Sequence, residues 1–311
     1  MAELDLSVIG ALIDGRAAAL ARAGVGLDAL RPHVERLCAE APVEAGELLA
    51  LAQRCGRPLH ELLVLDGGLA ELLGGVGFER SLGLYVDGPN GAVLAGAWAL
   101  PASEAEQVEL REVPVDDEGT RHAWVFGLPG SLGLAGISPS GHAVVANLLR
   151  PNEAGPGIPG SALLRQLLGA SDLDQARASI EATPLADGRN WMLADGRSFF
   201  GYEQLGAERI LTRVGPKTGH VHANHCFDPS LRQREARPRS APSFRRLELA
   251  STLYVMRRPD TAASVLEFLT EVEEAAFADP AARAHTQLAI ELETGRALWR
   301  RRAGDPIEHE R

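Results

Sequence analysis

Apolar residues near the start of the chain recur every three or four positions, which is the period of a helix with one buried face. Leu4 and Val8 begin the first such face, and the same pattern predicts further helices over 43–54 and 59–73. The hydrophobic pattern therefore assigns residues 1–80 to a helical N-terminal region.

The pattern changes from helix to strand at Ser81. Two apolar runs, 82–86 and 92–98, flank a turn that contains the pair Asn90-Gly91. This pair tolerates the positive φ values that a tight hairpin turn requires. A β-hairpin is therefore predicted, with Ser81 at the start of its first strand.

Beyond the hairpin, groups of short apolar runs alternate with pairs of helical segments. The predicted strands lie at 108–113, 122–126, 133–137, 142–148, 190–194, 198–204, 210–214, 220–223, 286–293 and 297–302. The predicted helices lie at 161–168, 171–183, 243–254 and 261–276. This alternation predicts an α+β fold in which helices cover the outer faces of sheets, and we assign residues 81–311 to this domain.

The composition excludes several classes of protein. The 311 residues carry a formal net charge of −11, whereas nucleic-acid binding needs a basic face. Apolar runs stay shorter than the roughly 18 residues of a membrane helix, the first residues do not resemble a signal peptide, and three cysteines form no disulfide framework. We expect a cytoplasmic protein with no nucleic-acid or membrane partner, and we interpret the arginine-rich stretches 232–246 and 300–302 as solvated.

Ser81 is the first candidate for chemistry. If the chain broke between Arg80 and Ser81, the new α-amine, with an ordinary pKa of about 7.7 to 8.0, would serve as a general base for the serine hydroxyl. The alternative is that Ser81 only opens a strand after a turn, which is an ordinary position for serine. Spacing alone leaves both interpretations open.

A second candidate is the segment 220–226, which contains four residues of metal-binding type: His220, His222, His225 and Cys226. On a strand His220 and His222 share one face, and the other two would complete a tetrahedral site after a turn. The competing interpretation, which we adopt, is that these side chains line a pocket without a metal.

Four stretches occur in an order that is typical of one family. They are Leu-His-Glu-Leu-Leu-Val-Leu-Asp at 59–66, the hairpin at 81–91 with its Pro-Asn-Gly turn, the glycine-punctuated strand pair at 133–148, and Val-His-Ala-Asn-His-Cys at 221–226. In these stretches the chain resembles the isopenicillin N acyltransferase family, also called acyl-coenzyme A:6-aminopenicillanate acyltransferases, which are N-terminal-nucleophile hydrolases. The resemblance implies an αββα sandwich of two mainly antiparallel sheets, preceded by a propeptide-like helical region.

The resemblance also implies roles for particular residues. Ser81 stands where the family has its catalytic cysteine, and Asn224 matches an asparagine that is associated with binding the oxyanion or substrate. The catalytic candidates are Ser81, Asn224 and His225, and the substrate-binding candidates are Tyr85, Trp98, Asn147 and Cys226. No metal and no cofactor are expected, with acyl-coenzyme A as one candidate acyl donor.

The implied activity is acyl transfer or amide hydrolysis on a small peptide-like or secondary-metabolite substrate, as in antibiotic biosynthesis. It would proceed through an acyl-enzyme, after self-cleavage between Arg80 and Ser81. The sequence does not define the acyl group, the acceptor or the oligomeric state.

Three departures from the family pattern favour an alternative. The nucleophile is the serine at position 81, Ala99 replaces an aspartate, and Arg283 is a weak candidate for a late catalytic arginine. The alternative is an unprocessed relative whose pocket binds an acyl or amide compound, or performs a different reaction, around Asn224, His225 and Cys226.

Overall fold

The computed structural model describes residues 4–74, 80–116, 118–215, 219–236, 241–276, 283–301 and 304–310. The helices are α1 (Leu6–Arg22), α2 (Arg31–Glu40), α3 (Pro42–Cys55), α4 (Leu59–Leu62), α5 (Gly67–Gly74), α6 (Ala102–Ala105), α7 (Gly160–Gly169), α8 (Leu173–Ala182), α9 (Pro229–Arg232), α10 (Pro242–Arg257) and α11 (Ala262–Ala276). The strands are β1 (Ser81–Gly88), β2 (Gly91–Pro101), β3 (Glu109–Pro114), β4 (His122–Gly127), β5 (Ala135–Ile137), β6 (Ala143–Leu149), β7 (Gly188–Ala194), β8 (Phe199–Leu205), β9 (Glu208–Val214), β10 (His220–His222), β11 (Arg283–Glu291), β12 (Ala297–Arg301) and β13 (Ile307–His309).

Within these ranges the strands form two antiparallel sheets. The first has the order β10-β1-β2-β11-β12-β13, and the second contains β3 to β9 in chain order. The predicted hairpin is the pair β1 and β2, in which Ser81 lies opposite Trp98 and Gly91 makes the turn with a φ of +104°. The sheets and the helical N-terminal region confirm the predicted α+β class.

Each sheet packs one face against the other sheet and the opposite face against helices, as the alternation of side chains along a strand requires. Leu82 and Leu84 of β1 pack with apolar residues of α10 and α11. Tyr85, one position out of phase, faces the second sheet and stacks on Phe199 of β8, with ring centroids 4.3 Å apart. Helix α7 packs on the outer face of β4, β5 and β6. These four layers are the expected αββα sandwich.

The N-terminal helices pack directly onto the sandwich. Ile9 and Leu65 lie against the loop at Gly130, and both belong to the hydrophobic cluster that continues between the two sheets. Arg16 of α1 also makes a buried ion pair with Glu104 of α6, at 2.7 Å. The helical region and the sandwich therefore share one core.

The helix predicted over 59–73 is interrupted, so the prediction of one continuous helix is wrong. Helix α4 ends at Leu62, a short 3-10 turn follows, and Asp66 then caps α5. The Asp66 carboxylate accepts hydrogen bonds from the backbone amides of Gly68 (2.7 Å) and Leu69 (3.1 Å). Because Asp favours a helix start and Gly disfavours a helix interior, Asp66-Gly67-Gly68 overrides the apolar period.

Two further findings concern the chain as a whole. None of the helices in the described ranges is long and apolar enough to cross a bilayer. The three cysteines are free thiols: Cys38 is exposed, Cys55 is half-buried and Cys226 is buried.

Candidate active site

Ser81 lies at the first position of β1, with none of its surface exposed to solvent. Its backbone amide donates to Asn224 Oδ1 at 2.6 Å, and its Oγ accepts from Asn224 Nδ2, also at 2.6 Å. The preceding carbonyl, that of Arg80, accepts from the backbone amide of Ala99 at 2.8 Å. The structure thus brings together Ser81 and Asn224, two of the three catalytic candidates.

Asn224 follows β10 directly and is anchored on several elements. Its backbone amide donates to Ser243 Oγ of α10 at 2.8 Å, and its Nδ2 donates to the carbonyl of Leu148 in β6 at 2.9 Å. The side chain therefore spans the space between the first sheet, the second sheet and α10. Such anchoring limits the rotamers that Asn224 can adopt.

Asn147 of β6 approaches Ser81 from the second sheet. With its amide turned so that Oδ1 faces β1, it accepts from the backbone amides of Leu82 (3.3 Å) and Gly83 (3.0 Å) and from Ser81 Oγ (3.2 Å). In this orientation the serine hydroxyl donates to Asn147 and accepts from Asn224. Gly83 is needed here, because a Cβ at this position would lie 2.5 Å from the nearest atom of the Asn147 side-chain amide.

Arg246 is a part of the site that the sequence analysis missed. It was assigned to a solvated arginine-rich stretch, but the structure places it in α10 with 1% of its surface exposed. Its guanidinium donates to the carbonyl of Ser81 (3.3 Å) and to Asn224 Oδ1. The spacing of Ser243, Arg246 and Ala250 on the buried face of α10 is the signal that identifies it. Arg245, the preceding residue of the same helix, is exposed.

Trp98 and Tyr85 take different positions relative to Ser81. Trp98 pairs with Ser81 across β1 and β2, and its Nε1 donates to the carbonyl of Ala146 at 3.1 Å. A cavity of about 20 Å³ beside Trp98 is also lined by Leu65 and Asp66 of the N-terminal region, and this volume holds roughly one water molecule. Tyr85 lies on the same face of β1, four residues after Ser81. Burial raises the pKa of its hydroxyl to about 12.

His225 and Cys226 have other neighbours. His225 Nδ1 lies 2.8 Å from Ser243 Oγ, and its ring stacks on Phe244 with centroids 3.8 Å apart. Cys226 packs in a small apolar cluster that contains Leu149 and Leu205. Burial, followed by the charges of nearby carboxylates, raises the pKa of the Cys226 thiol, so it stays protonated at neutral pH.

The histidines of β10 form contacts of their own. His222 Nε2 lies 2.8 Å from Glu203 Oε1, with both side chains fully buried. Burial, with the charges of His222 and Arg213, lowers the pKa of His220 to about 3. Across the described parts of the chain, no three His, Cys, Asp or Glu side chains converge in a way that would hold a metal ion.

Position 99, where the family resemblance expects a carboxylate, lies beside a histidine that contacts a buried carboxyl group. His285 of β11 lies opposite Ala99, and its Nδ1 is 3.1 Å from Glu273 Oε2 of α11. Burial raises the pKa of Glu273 to about 7, although the positive charges of Arg246 and Arg80 act against this shift. Arg283 begins β11, but its side chain lies outside the described part of the structure.

A second buried polar network joins the N-terminal region to the sandwich. Arg189 of β7 pairs with Asp187 at 2.8 Å and with Asp66 at 3.2 Å, while Asp66 also accepts from the hydroxyl of Ser161 at the start of α7. Burial raises the pKa of Asp187 to about 7. Burial acts in the same direction on Asp66, but Arg189 and the hydrogen-bond donors outweigh it and lower the Asp66 pKa. The sequence analysis did not identify this network.

The four layers are the αββα sandwich that the family resemblance implies, with Ser81 at the start of a strand inside the first sheet. Residues 109–284, more than half of the chain, match the family model described as "Acyl-coenzyme A:6-aminopenicillanic acid acyl-transferase". The chain belongs to this family. The match includes Asn147, Asn224 and Arg246, and begins after Ser81.

Solved structures include similar folds at low sequence identity. Penicillin V acylase from Agrobacterium tumefaciens is 12% identical, with a TM-score of 0.47 over 73% of this chain and 84% of that one. The C2A mutant of the conjugated bile acid hydrolase from Clostridium perfringens is 12% identical, with a TM-score of 0.46 over 74% of this chain and 92% of that one. No curated protein sequence matches the chain.

Proposed function

We propose that the protein is an acyltransferase or amide hydrolase that uses Ser81 as its nucleophile after cutting its own chain between Arg80 and Ser81. The observation that carries this proposal is the buried serine hydroxyl between two asparagine amides, at 2.6 Å and 3.2 Å. The substrate class we propose is a small peptide-like or secondary-metabolite amide, with acyl-coenzyme A as one candidate acyl donor.

In the self-cleavage step, Ser81 Oγ attacks the carbonyl carbon of Arg80. The peptide C–N bond breaks, the proton of the hydroxyl passes to the departing nitrogen, and water then hydrolyses the ester. The Arg80 carbonyl oxygen already accepts a hydrogen bond from Ala99 at 2.8 Å, which supports this proposal because negative charge develops on that oxygen. The products are a carboxylate on Arg80 and a free α-amine on Ser81.

In the second reaction the α-amine of Ser81 accepts the hydroxyl proton, and Oγ attacks the substrate carbonyl. Asn224 Nδ2 donates to the oxyanion of the tetrahedral intermediate, and the proton passes to the leaving group. Water or an acceptor amine then removes the acyl group from Ser81. These steps use side chains, the α-amine and water, and they need neither a metal nor a cofactor.

A second candidate is supported by the closed state of the site. Ser81 is fully buried, the cavity beside Trp98 holds about one water molecule, and Ala99 supplies no carboxylate. An unprocessed relative that binds an acyl or amide compound, or performs another reaction near Asn224, His225 and Cys226, would show these features. The two candidates differ in whether the peptide bond before Ser81 is cut.

The intact mass of freshly purified protein under denaturing conditions tests this difference. We expect two fragments, divided between Arg80 and Ser81, whose masses sum to that of the full chain plus one water. Ser81→Ala should give one full-length mass, whereas Ser81→Cys, which keeps a nucleophile, should still divide. Ser251→Ala, an exposed serine on α10, is the matched control and should divide like the wild type.

One full-length mass for the wild-type protein would exclude self-cleavage and favour the unprocessed candidate. Division of Ser81→Ala would instead assign the cut to another agent.

A further inference from the structure

The orientation of the Asn224 amide decides what this side chain offers to Ser81. Its Oδ1 receives two donors, the backbone amide of Ser81 and the guanidinium of Arg246. Its Nδ2 donates to Ser81 Oγ at 2.6 Å and to the carbonyl of Leu148 at 2.9 Å. Both ends of the amide are therefore matched to partners of the opposite type.

Arg246 adds a charged donor to two other partners that also distinguish the ends of this amide: the Ser81 backbone amide, which only donates, and the Leu148 carbonyl, which only accepts. An arginine side chain carries only donors and remains charged at any pH at which proteins fold. The atom of Asn224 that faces Arg246 must therefore be the acceptor Oδ1. A serine hydroxyl, by contrast, can either donate or accept, so Ser81 Oγ alone does not fix the amide.

The guanidinium is also held firmly in its own position. It is 99% buried, on the face of α10 that covers the first sheet, and it donates to the Ser81 carbonyl as well as to Asn224. Removing a charge from water costs several kcal/mol unless other groups compensate it. Glu273 of α11 is close enough to Arg246 for the two buried groups to interact, and the guanidinium opposes the rise in the Glu273 pKa.

We propose that Arg246 is a positioning residue that fixes the Asn224 amide with Nδ2 toward Ser81 Oγ. Through the same orientation, Nδ2 is ready to donate to the oxyanion when Ser81 reacts. The catalytic consequence rests on the function proposed above, whereas the orientation of the amide does not.

The first test compares the rate of self-cleavage in three variants. Arg246→Gln removes the charge and should slow cleavage by about 100-fold, the scale on which a displaced reacting group acts, because Asn224 would no longer hold Ser81 Oγ in place. Arg246→Lys keeps a charged donor and should recover part of this loss. Arg245→Gln, at the exposed position next to it on α10, should cleave at the wild-type rate.

The second test observes the amide itself and needs no chemistry at Ser81. The chain has five asparagines, so ¹⁵N-asparagine labelling gives few side-chain NH₂ signals, and Asn224→Asp identifies the one of interest. In a Ser81→Ala background, which prevents cleavage, Arg246→Gln should speed solvent exchange of the Asn224 NH₂ group by at least about 10-fold. The signal of the buried Asn190 is an internal reference that should not change, and Arg245→Gln should leave both signals as they are.

The two tests separate the two proposals. If the wild-type chain never cleaves, the proposed function is wrong, and the exchange experiment still decides the role of Arg246. If Arg246→Gln leaves exchange at Asn224 unchanged, or speeds it equally at Asn190, the positioning role is overturned even when Ser81 cleaves normally. Should Arg246→Gln not fold, Arg246→Lys and the double variant Arg246→Gln with Glu273→Gln, which removes both buried ionisable groups, provide the same comparison.

Discussion

At the scale of single residues, the site is defined by how polar groups compensate one another in a buried space. Ser81, Asn147 and Asn224 are uncharged and satisfy one another through hydrogen bonds, so their burial is inexpensive once the partners are aligned. Glu273 differs, because burial disfavours its charged form more strongly than the positive charges of Arg246 and Arg80 favour it. This carboxyl group therefore makes stability depend on pH.

Glu273 should make the folded state less stable as the pH rises through its titration range. Its pKa is raised from 4.5 to about 7, so the native state keeps a proton that the unfolded state has released. Stability is therefore lost between about pH 4.5 and pH 7, by up to about 3 kcal/mol. Glu273→Gln should remove this loss, as measured by urea unfolding at pH 5, 6, 7 and 8.

Glu274→Gln, at the exposed neighbouring position of α11, is the control and should keep the wild-type slope. Arg246, Arg80 and His285 surround Glu273 and stay unchanged in both variants. Equal pH dependence in the two variants would show that Glu273 is not the group that titrates.

At the scale of elements, the hairpin β1–β2 carries the site because its inner face lies against β6 and β7. Side chains alternate along β1, so Ser81, Gly83 and Tyr85 face the second sheet while Leu82 and Leu84 face the helices. The absence of a side chain at Gly83 leaves room for Asn147 and Met192. The hairpin was predictable from its alternation and its Asn-Gly turn, but the close approach of β6 was not.

Gly83→Ala should therefore destabilise the protein and disturb the site. The new Cβ would lie 2.5 Å from both the Asn147 side-chain amide and Met192 Sδ, closer than normal contacts. Overpacking of this kind costs about 1–3 kcal/mol, and we also expect slower self-cleavage because Asn147 must shift. Urea unfolding and intact mass against time measure the two effects.

Gly46→Ala is the matched control for this substitution. Gly46 lies within α3, and a Cβ there meets no atom within 4 Å. The change should stabilise the protein by about 0.5–1 kcal/mol, because alanine suits a helix interior better than glycine. A stabilised Gly83→Ala would mean that the two sheets are further apart around Asn147 than described.

At the scale of the whole molecule, the N-terminal region and the sandwich are joined by a continuous core and by buried ion pairs. Ile9 and Leu65 belong to the cluster that fills the space between the sheets. Asp66 connects α5, the start of α7 and Arg189 of β7. We therefore expect the chain to unfold in a single cooperative transition before any cleavage.

Arg189→Met tests this connection. The substitution leaves Asp66 and Asp187 buried without their shared cation, which should lower the free energy of unfolding by about 3–5 kcal/mol. Urea unfolding of Ser81→Ala protein, which stays in one piece, provides the measurement. Arg31→Met is the control, because Arg31 pairs with Asp28 at the surface and should contribute little. A small effect of Arg189→Met, or two separate transitions, would contradict the idea of one joined core.

The sequence by itself determined the features that depend on neighbouring residues. The α+β class, the helical start, the hairpin and Ser81 at its first position follow from apolar periods and turn residues, which act over a few positions. Even there, Asp66-Gly67-Gly68 interrupted a helix that the apolar period alone predicted. The order of motifs, a property of the whole sequence, indicated the family.

Only the tertiary structure decided which distant side chains meet. Ser81 contacts Asn147, Asn224 and Arg246, which are 66, 143 and 165 positions away along the chain. These contacts depend on the register of β1 against β10 and on how α10 packs over the first sheet, and no local pattern specifies either. Arg246 shows the consequence: within its arginine-rich stretch it was assigned to solvent, while the packing of one helix face buries it against Ser81.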